Sequence, residues 1–343
     1  MKKVVHIISN KVWGGGEQYV YDLCDSLSRD GYEVELLVRP IDAIESKVSK
    51  LGVQVGRLCF MQILKLDDCI IHVHNFKDAL KVAIAKKLAG RNTKIIVTRH
   101  LVRKAKTSWL YTWLYSFVDK IIFVSELAKE EFLAVHPKVD ESRICMVRNS
   151  IKSSEGVNNA DDIKGCLPQG TLILMYHGRI AEEKGLATLV EAVAEMKDMP
   201  YHLFLLGTGD AGFCEKLQKQ IETSGVGDRI TFLGFRDDVT GYINQTDIGI
   251  IPTIAQESCG LSCMEYMKSG KCLVTTNNGG QAEYVTNDET GLLVPPGDAK
   301  ALRDAICRAS EIKDIIGKNA REYFDRELSY EHFYNKIKRI YEE

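Results

Sequence analysis

The sequence predicts an α/β protein of two facing, doubly wound domains with a ligand cleft between them, and three observations carry that prediction. Short runs rich in Val, Ile and Leu alternate with helical patterns, and the alternation occurs twice over. The chain has 343 residues, and a single core seldom grows past roughly 250–300 residues. A polar stretch from Lys152 to Gly170, clustered with Ser, Asn, Asp, Gly and Pro, separates the two rounds of alternation and reads as a linker. The expected division is a first domain over 1–160, a second over 161–325 and a terminal helix over 326–343.

Taken in order, the first half offers six strand-like runs: VVHIIS, EVELLV, IIHVH, KIIVT, KIIFV and ICMV. Between the first two, Val20, Leu23, Cys24 and Leu27 repeat at helical spacing. The second half offers LILMYH, HLFLLG, ITFLG, DIGIIP, CLVTT and LLV, with Leu186, Leu189, Val190 and Val193 as a helical stripe after the first. Near-continuous apolar runs joined by helices belong to parallel sheets covered on both faces. The last segment places Tyr330, Phe333, Tyr334, Ile337 and Tyr341 on one face. That helix needs a partner, and we expect it to pack back on the first domain.

Composition sets further bounds. The apolar N-terminal run is too short for a signal peptide or a membrane span. The ten cysteines form no Cys-x-x-Cys pair, and no His/Cys grouping has zinc-ligand spacing, which fits a reduced, cytoplasmic setting without a metal. Cys259 and Cys263 read as small packing residues. Net charge is −2 but unevenly spread: residues 1–165 carry 26 basic against 20 acidic side chains, the remainder 19 against 27. From Ala79 to Val118 there is no acidic residue, while nine Lys and Arg precede Trp109, Tyr111, Trp113, Tyr115 and Phe117. Such a stretch suits an anionic membrane face or a phosphorylated acceptor; an exposed basic helix followed by a core helix explains it equally well. No nucleic-acid-binding module accompanies the charge, so nucleic acid is not expected as a partner.

Open parallel sheets bind ligands at the carboxyl ends of their strands, so the residues just after each strand carry the functional expectations. After the first strand come Gly14, Gly15, Gly16 and Glu17, where glycines let backbone N–H groups approach a ligand. A dinucleotide fingerprint requires a third glycine where Tyr19 stands, which argues against an oxidoreductase. His100 follows KIIVT and is placed to orient a hydroxyl. His72 and His74 end a neighbouring strand and read as satisfied structural histidines. In the second half, Arg179 and Lys184 leave the strand LILMYH, where cations reach phosphate oxygens. Glu257 and Glu265 bracket ESCGLSCME, with a helix opening on Gly260 and Leu261. Unpaired N–H groups at that helix start suit a diphosphate, and a carboxylate one turn inside suits ribose hydroxyls.

Together the GGGE loop, GRIAEEKG, the GFRDDV turn, the Glu-x7-Glu stretch ESCGLSCME and the tail NNGGQAEYVTNDETGLLVPPGD resemble the retaining, GT-B-type glycosyltransferases called group 1 or family 4, which have two facing Rossmann-like domains. The resemblance covers nearly the whole chain and is densest from Gly178 to Asp298. It implies that a nucleoside-diphosphate sugar binds mainly to the second domain, with Arg179 and Lys184 on the diphosphate and Phe235 and Arg236 by the base. Glu265 would take the ribose and Glu257 the transferred sugar, while the backbone of Cys259, Gly260 and Leu261 touches sugar and phosphate. Gly15 and Gly16 would close the first-domain side, and His100 would stand by the reacting sugar. The implied catalytic set is His100, Arg179, Lys184 and Glu257. The family works without a metal or other cofactor, in keeping with the lack of any Asp-x-Asp here. Implied partners are the sugar nucleotide and a glycan or lipid-linked acceptor in bacterial surface polysaccharide or lipopolysaccharide synthesis at the cytoplasmic membrane face. Asn149–Ser150, Thr253 and Cys259 depart from the family's usual residues and put the sugar pocket's shape in question. A sugar-nucleotide epimerase or hydrolase on the same fold, and a non-catalytic nucleotide-binding partner, remain as alternatives.

Overall fold

The computed structural model describes residues 3–11, 13–152 and 159–343. In chain order the elements are β1 (Lys3–Ile8), α1 (Gly15–Arg29), β2 (Glu33–Val38), α2 (Asp42–Val48), β3 (Gln54–Arg57), α3 (Phe60–Lys65), β4 (Cys69–Val73), α4 (Phe76–Ala89), β5 (Thr93–Arg99), α5 (Trp109–Phe117), β6 (Lys120–Phe123), α6 (Glu126–Leu133) and β7 (Ile144–Met146). They continue with β8 (Leu172–His177), α7 (Leu186–Ala194), β9 (Tyr201–Leu206), α8 (Ala211–Thr223), β10 (Ile230–Gly234), α9 (Val239–Asn244), β11 (Ile248–Ile251), α10 (Leu261–Lys268), β12 (Cys272–Thr276), β13 (Leu292–Val294), α11 (Ala299–Tyr323) and α12 (Tyr330–Glu342). Two units result: Met1–Lys152 with Tyr330–Glu343, and Ser153–Ser329.

The first unit holds a seven-stranded sheet in the order β3-β2-β1-β4-β5-β6-β7, paired in parallel throughout. Alternation along each strand sorts side chains to two cores. Val4, Ile8, Ile70, Ile96 and Ile122 face α1, α2 and α12, while Val5, Ile7, Ile71, Val97 and Phe123 face α4, α5 and α6. The periodic residues of α1, Val20, Leu23, Cys24 and Leu27, are all buried; each aliphatic one contributes about 1.5–3 kcal/mol by leaving water. Helix α12 docks through Phe333, Tyr334, Ile337, Ile340 and Tyr341, and Tyr334 donates to Asp30 at 2.9 Å while Lys338 pairs with it at 2.7 Å. Asn75 and Ser125 cap α4 and α6 by accepting from backbone N–H groups three residues on.

The second unit holds a six-stranded parallel sheet in the order β10-β9-β8-β11-β12-β13. Strands β8, β11 and β12 are buried at every position, which is why their sequences run apolar without alternation. Asp210, Asp238 and Asp298 cap α8, α9 and α11.

Two expectations need correction. Among the described residues the first half has seven strands, not six, because the edge strand β3 is largely exposed and carries no apolar pattern. The expected linker also differs. Its segment 153–158 lies outside the described residues, and the part from Asn159 is held to the second unit, with Ile163 buried and its N–H bonded to Gln245 at 2.9 Å.

Candidate active site

Each sheet reverses its winding once. In the second unit the chain winds outward from β8 to β10, then returns to build β11 to β13 on the other side. The loops after β8 and β11 therefore flank the switch point, where doubly wound sheets bind ligands. Arg179 and Lys184 leave β8, and Glu257, Cys259 and Gly260 leave β11.

Backbone hydrogen bonds fasten these loops together. The carbonyl of Glu183 accepts from the Ile254 N–H at 2.9 Å, the Ala255 N–H at 3.2 Å and the Thr253 hydroxyl at 3.2 Å. The Asn278 amide donates to the Ile254 carbonyl at 2.6 Å, and the Gly280 N–H donates to the Glu257 carbonyl at 2.8 Å. Gly185 turns the chain into α7 at φ +72°, where an added Cβ would lie 1.9 Å from the Pro252 carbonyl oxygen. Only glycine permits both that left-handed turn and that approach.

On this frame the charged groups pair. Lys184 Nζ donates to Glu257 Oε1, and the two side chains are 23% and 26% exposed. Arg179 donates to Glu183 on the surface; the Glu183 carboxyl is held below its ordinary range, first by its own backbone N–H and then by Arg179. Gly260, at φ +70°, opens α10 without a capping side chain, and the Tyr284 hydroxyl lies 2.8 Å from the carbonyl oxygens of both Cys259 and Gly260. Leu261 is the first residue of α10, leaving helix N–H groups at this edge. Glu265, in the next turn, is bonded through Oε2 to His177 Nε2. Phe235 and Arg236 follow β10, two strands away at the same sheet end. Phe235 is 62% exposed, and Arg236 donates to the Tyr242 hydroxyl at 3.0 Å.

Sequence reasoning missed His177. It is 5% exposed, packs its ring on Tyr266 and orients the carboxylate expected to meet a ribose. Its signal was its place as the last residue of β8, two before Arg179. The family departures are internal: Thr253 is fully buried and Cys259 is 5% exposed, so both shape the floor from below.

In the first unit the switch point lies between β1 and β4. Gly15 begins α1, and a Cβ added at Gly16 would meet the His100 ring at 4.0 Å. Tyr19, standing where a dinucleotide fingerprint has glycine, is buried edge-on against His100. His100 itself ends a row of histidines. His6 Nδ1 lies 3.2 Å from His74 Nε2, and His74 Nδ1 lies 3.2 Å from His100 Nε2. The Tyr341 hydroxyl of α12 is 3.4 Å from His6 Nε2 and 2.6 Å from His72 Nδ1; His72 Nε2 meets the Thr98 hydroxyl at 2.7 Å. Burial keeps these rings neutral, lowering His6 to about 3 and His100 to about 4. A neutral imidazole has one donor and one acceptor, so the row runs in a single direction, all towards His100 or all away. The ring nitrogens of His6, His72 and His74 lie within 4.8 Å of one another. Residue spacing concealed this grouping, because the parallel pairing of β1 with β4, with His6 opposite His72, creates it.

Residues 13–155 match the family described as Glycosyltransferase Family 4, and residues 171–311 match Glycosyl transferases group 1. The chain is 32% identical to the lipopolysaccharide core biosynthesis glycosyltransferase LpsE of Rhizobium meliloti over 89% of its own length and 87% of LpsE. It is 28% identical to a 2-deoxystreptamine N-acetyl-D-glucosaminyltransferase of Niallia circulans, over 48% of this chain and 44% of that protein. Its fold matches the crystal structure of Anabaena HepE in complex with UDP at TM-score 0.85, with 19% identity and 99% of both chains covered. The chain belongs to the group 1, or family 4, glycosyltransferases, of GT-B architecture. It is a glycosyltransferase.

Proposed function

We propose that this chain transfers a sugar from a nucleoside diphosphate to an acceptor hydroxyl with retention of anomeric configuration and without a metal. The observation that carries the proposal is the pairing of Lys184 with Glu257 and of His177 with Glu265 around the uncapped start of α10, at the switch point of the second unit. In this reading Glu265 takes the ribose, the Arg179 and Lys184 cations with the helix N–H groups take the diphosphate, and Glu257 holds the transferred sugar. Phe235 and Arg236 lie by the base. Developing negative charge on the leaving diphosphate is met by the fixed N–H groups at the start of α10 and by the Lys184 and Arg179 cations. The acceptor hydroxyl enters on the face from which the diphosphate leaves and gives its proton to the departing phosphate. His100, held neutral, contributes a hydrogen bond and not a charge.

Similarity across most of LpsE favours a surface glycan or lipid-linked acceptor. Among the described residues no helix is long and apolar enough to cross a membrane, and Trp109, 80% exposed beside the basic stretch, supports peripheral contact with an anionic membrane face at the cytoplasm. The test is incubation with UDP-, GDP- and ADP-sugars plus acceptors, with product configuration read by NMR. One donor should yield a retained linkage. An inverted linkage removes the mechanism, and free sugar without acceptor product points instead to a hydrolase or epimerase.

A further inference from the structure

A cavity of about 410 Å³ opens within the first unit. Ser9 and Asn10 reach it from the end of β1, His74 and Asn75 from the end of β4, and Thr98 and His100 from the end of β5. It thus occupies that sheet's switch point, and His100 is part of its wall. Its other wall is cationic: Arg39, Lys77, Arg99, Arg103, Lys104 and Lys106 all line it.

What distinguishes these six is that they converge on one concave space without a paired carboxylate. Elsewhere in the acid-free stretch Lys81 pairs with Asp78 at 2.9 Å, Lys86 with Asp119 at 3.9 Å and Arg91 with Asp67 at 2.8 Å, while Lys87 lies over the Trp113 ring at 5.5 Å. Among the described residues none of the six cavity cations has a carboxylate within ion-pairing distance. Arg99 is half-buried, its guanidinium lying over the Phe76 and Phe132 rings at 5.6 and 5.1 Å. Its Nη2 donates to the backbone carbonyls of Arg103 and Lys104, while its buried Nε has no partner. Burial above all, and the adjacent Arg103, lower its pKa from the ordinary value. Like charges gathered around a concave, half-dry space repel one another unless a ligand supplies the opposite charge.

We infer that this cavity binds the acceptor through a phosphoryl group placed beside His100. A phosphate carries up to two negative charges and several acceptor oxygens, matching several cations at once where one carboxylate would leave most unmet. The inference rests on the proposed transfer reaction for the word acceptor, but the binding chemistry stands on the cavity alone.

The experiment titrates the full chain with inorganic phosphate, a hexose 6-phosphate, and farnesyl diphosphate in neutral detergent, alongside UDP-, GDP- and ADP-sugars. It is repeated with Arg103→Gln/Lys104→Gln, whose exposed side chains can be changed without opening the core. Saturable binding of a phosphorylated probe, falling at least tenfold in the double variant, supports the inference. Preference for the hexose phosphate identifies a soluble acceptor, and preference for farnesyl diphosphate a lipid-linked one. The inference is overturned if a sugar nucleotide binds while no phosphorylated probe does, or if probe binding is unchanged in the folded double variant. Failure of every sugar nucleotide to bind, with the phosphate probes still bound, would remove the transfer reading and leave the anion site standing.

Discussion

Replacing Lys184 with alanine separates catalysis from folding. Lys184 ends a short 3-10 turn whose preceding carbonyl, that of Glu183, accepts three hydrogen bonds from Thr253, Ile254 and Ala255. These bonds do not involve the lysine side chain, so truncation leaves the loop in place. What is lost is the ammonium, three-quarters enclosed, and what remains is the Glu257 carboxylate without its partner. Hydrogen bonds to charged groups contribute about 1.5–3 kcal/mol, and partial exposure puts the stability loss near the lower end. The rate should fall further, since removing one donor to a developing anion costs about 2.7–4 kcal/mol, or roughly 10²–10³ in turnover. Adding Glu257→Gln removes the orphaned charge and should recover much of the stability but none of the rate. The assay pairs initial transfer rates with thermal unfolding of both variants. A folded Lys184→Ala protein turning over within threefold of the parent would remove the Lys184 ammonium from the transfer step.

Other outcomes follow from the same frame. Glu265→Gln and His177→Phe should each weaken sugar-nucleotide binding about tenfold, one hydrogen bond to a charged group, and equal binding by calorimetry would detach the pair from the ribose. Gly185→Ala should lower stability by at least about 2 kcal/mol through a strained left-handed turn, lowering the second unit's melting temperature by roughly 2–4 °C per kcal/mol; unchanged melting would contradict the close approach to Pro252. Acid should unfold the first unit through its histidines. Their folded pKa values are lowered, to about 3 for His6 and about 4 for His100, so the unfolded chain binds protons first. Their stability contribution is full above pH about 6.5 and is lost as pH falls from there through 4 towards 3. A flat stability profile between pH 7 and 4 would rule out the neutral histidine row.

Much of the fold could be read from the chain because parallel strands announce themselves: buried on both faces, they run apolar without interruption, as LILMYH and CLVTT do. Strand β3 escaped because an edge position buries too little to impose a pattern on QVGR. Strand-end residues such as Arg179, Lys184 and Glu257 were legible because topology alone puts them at one sheet edge. His177 and the histidine row were not, since their partners lie 88 residues off for His177 to Glu265 and 68 for His6 to His74. The basic stretch was legible as charge but not as two parts, one partly paired with carboxylates on the surface and the other lining a cavity. That distinction depends on which carboxylates folding brings near.

Positive polarity at the second unit's switch point is proposed to hold a sugar nucleotide by its diphosphate. A crystal structure of the chain soaked with the donor that binds it tests this most directly. The diphosphate should lie within hydrogen-bonding distance of Arg179, Lys184 and the first N–H groups of α10, with the ribose on Glu265. A diphosphate seated elsewhere, with Lys184 still closed on Glu257, would contradict it.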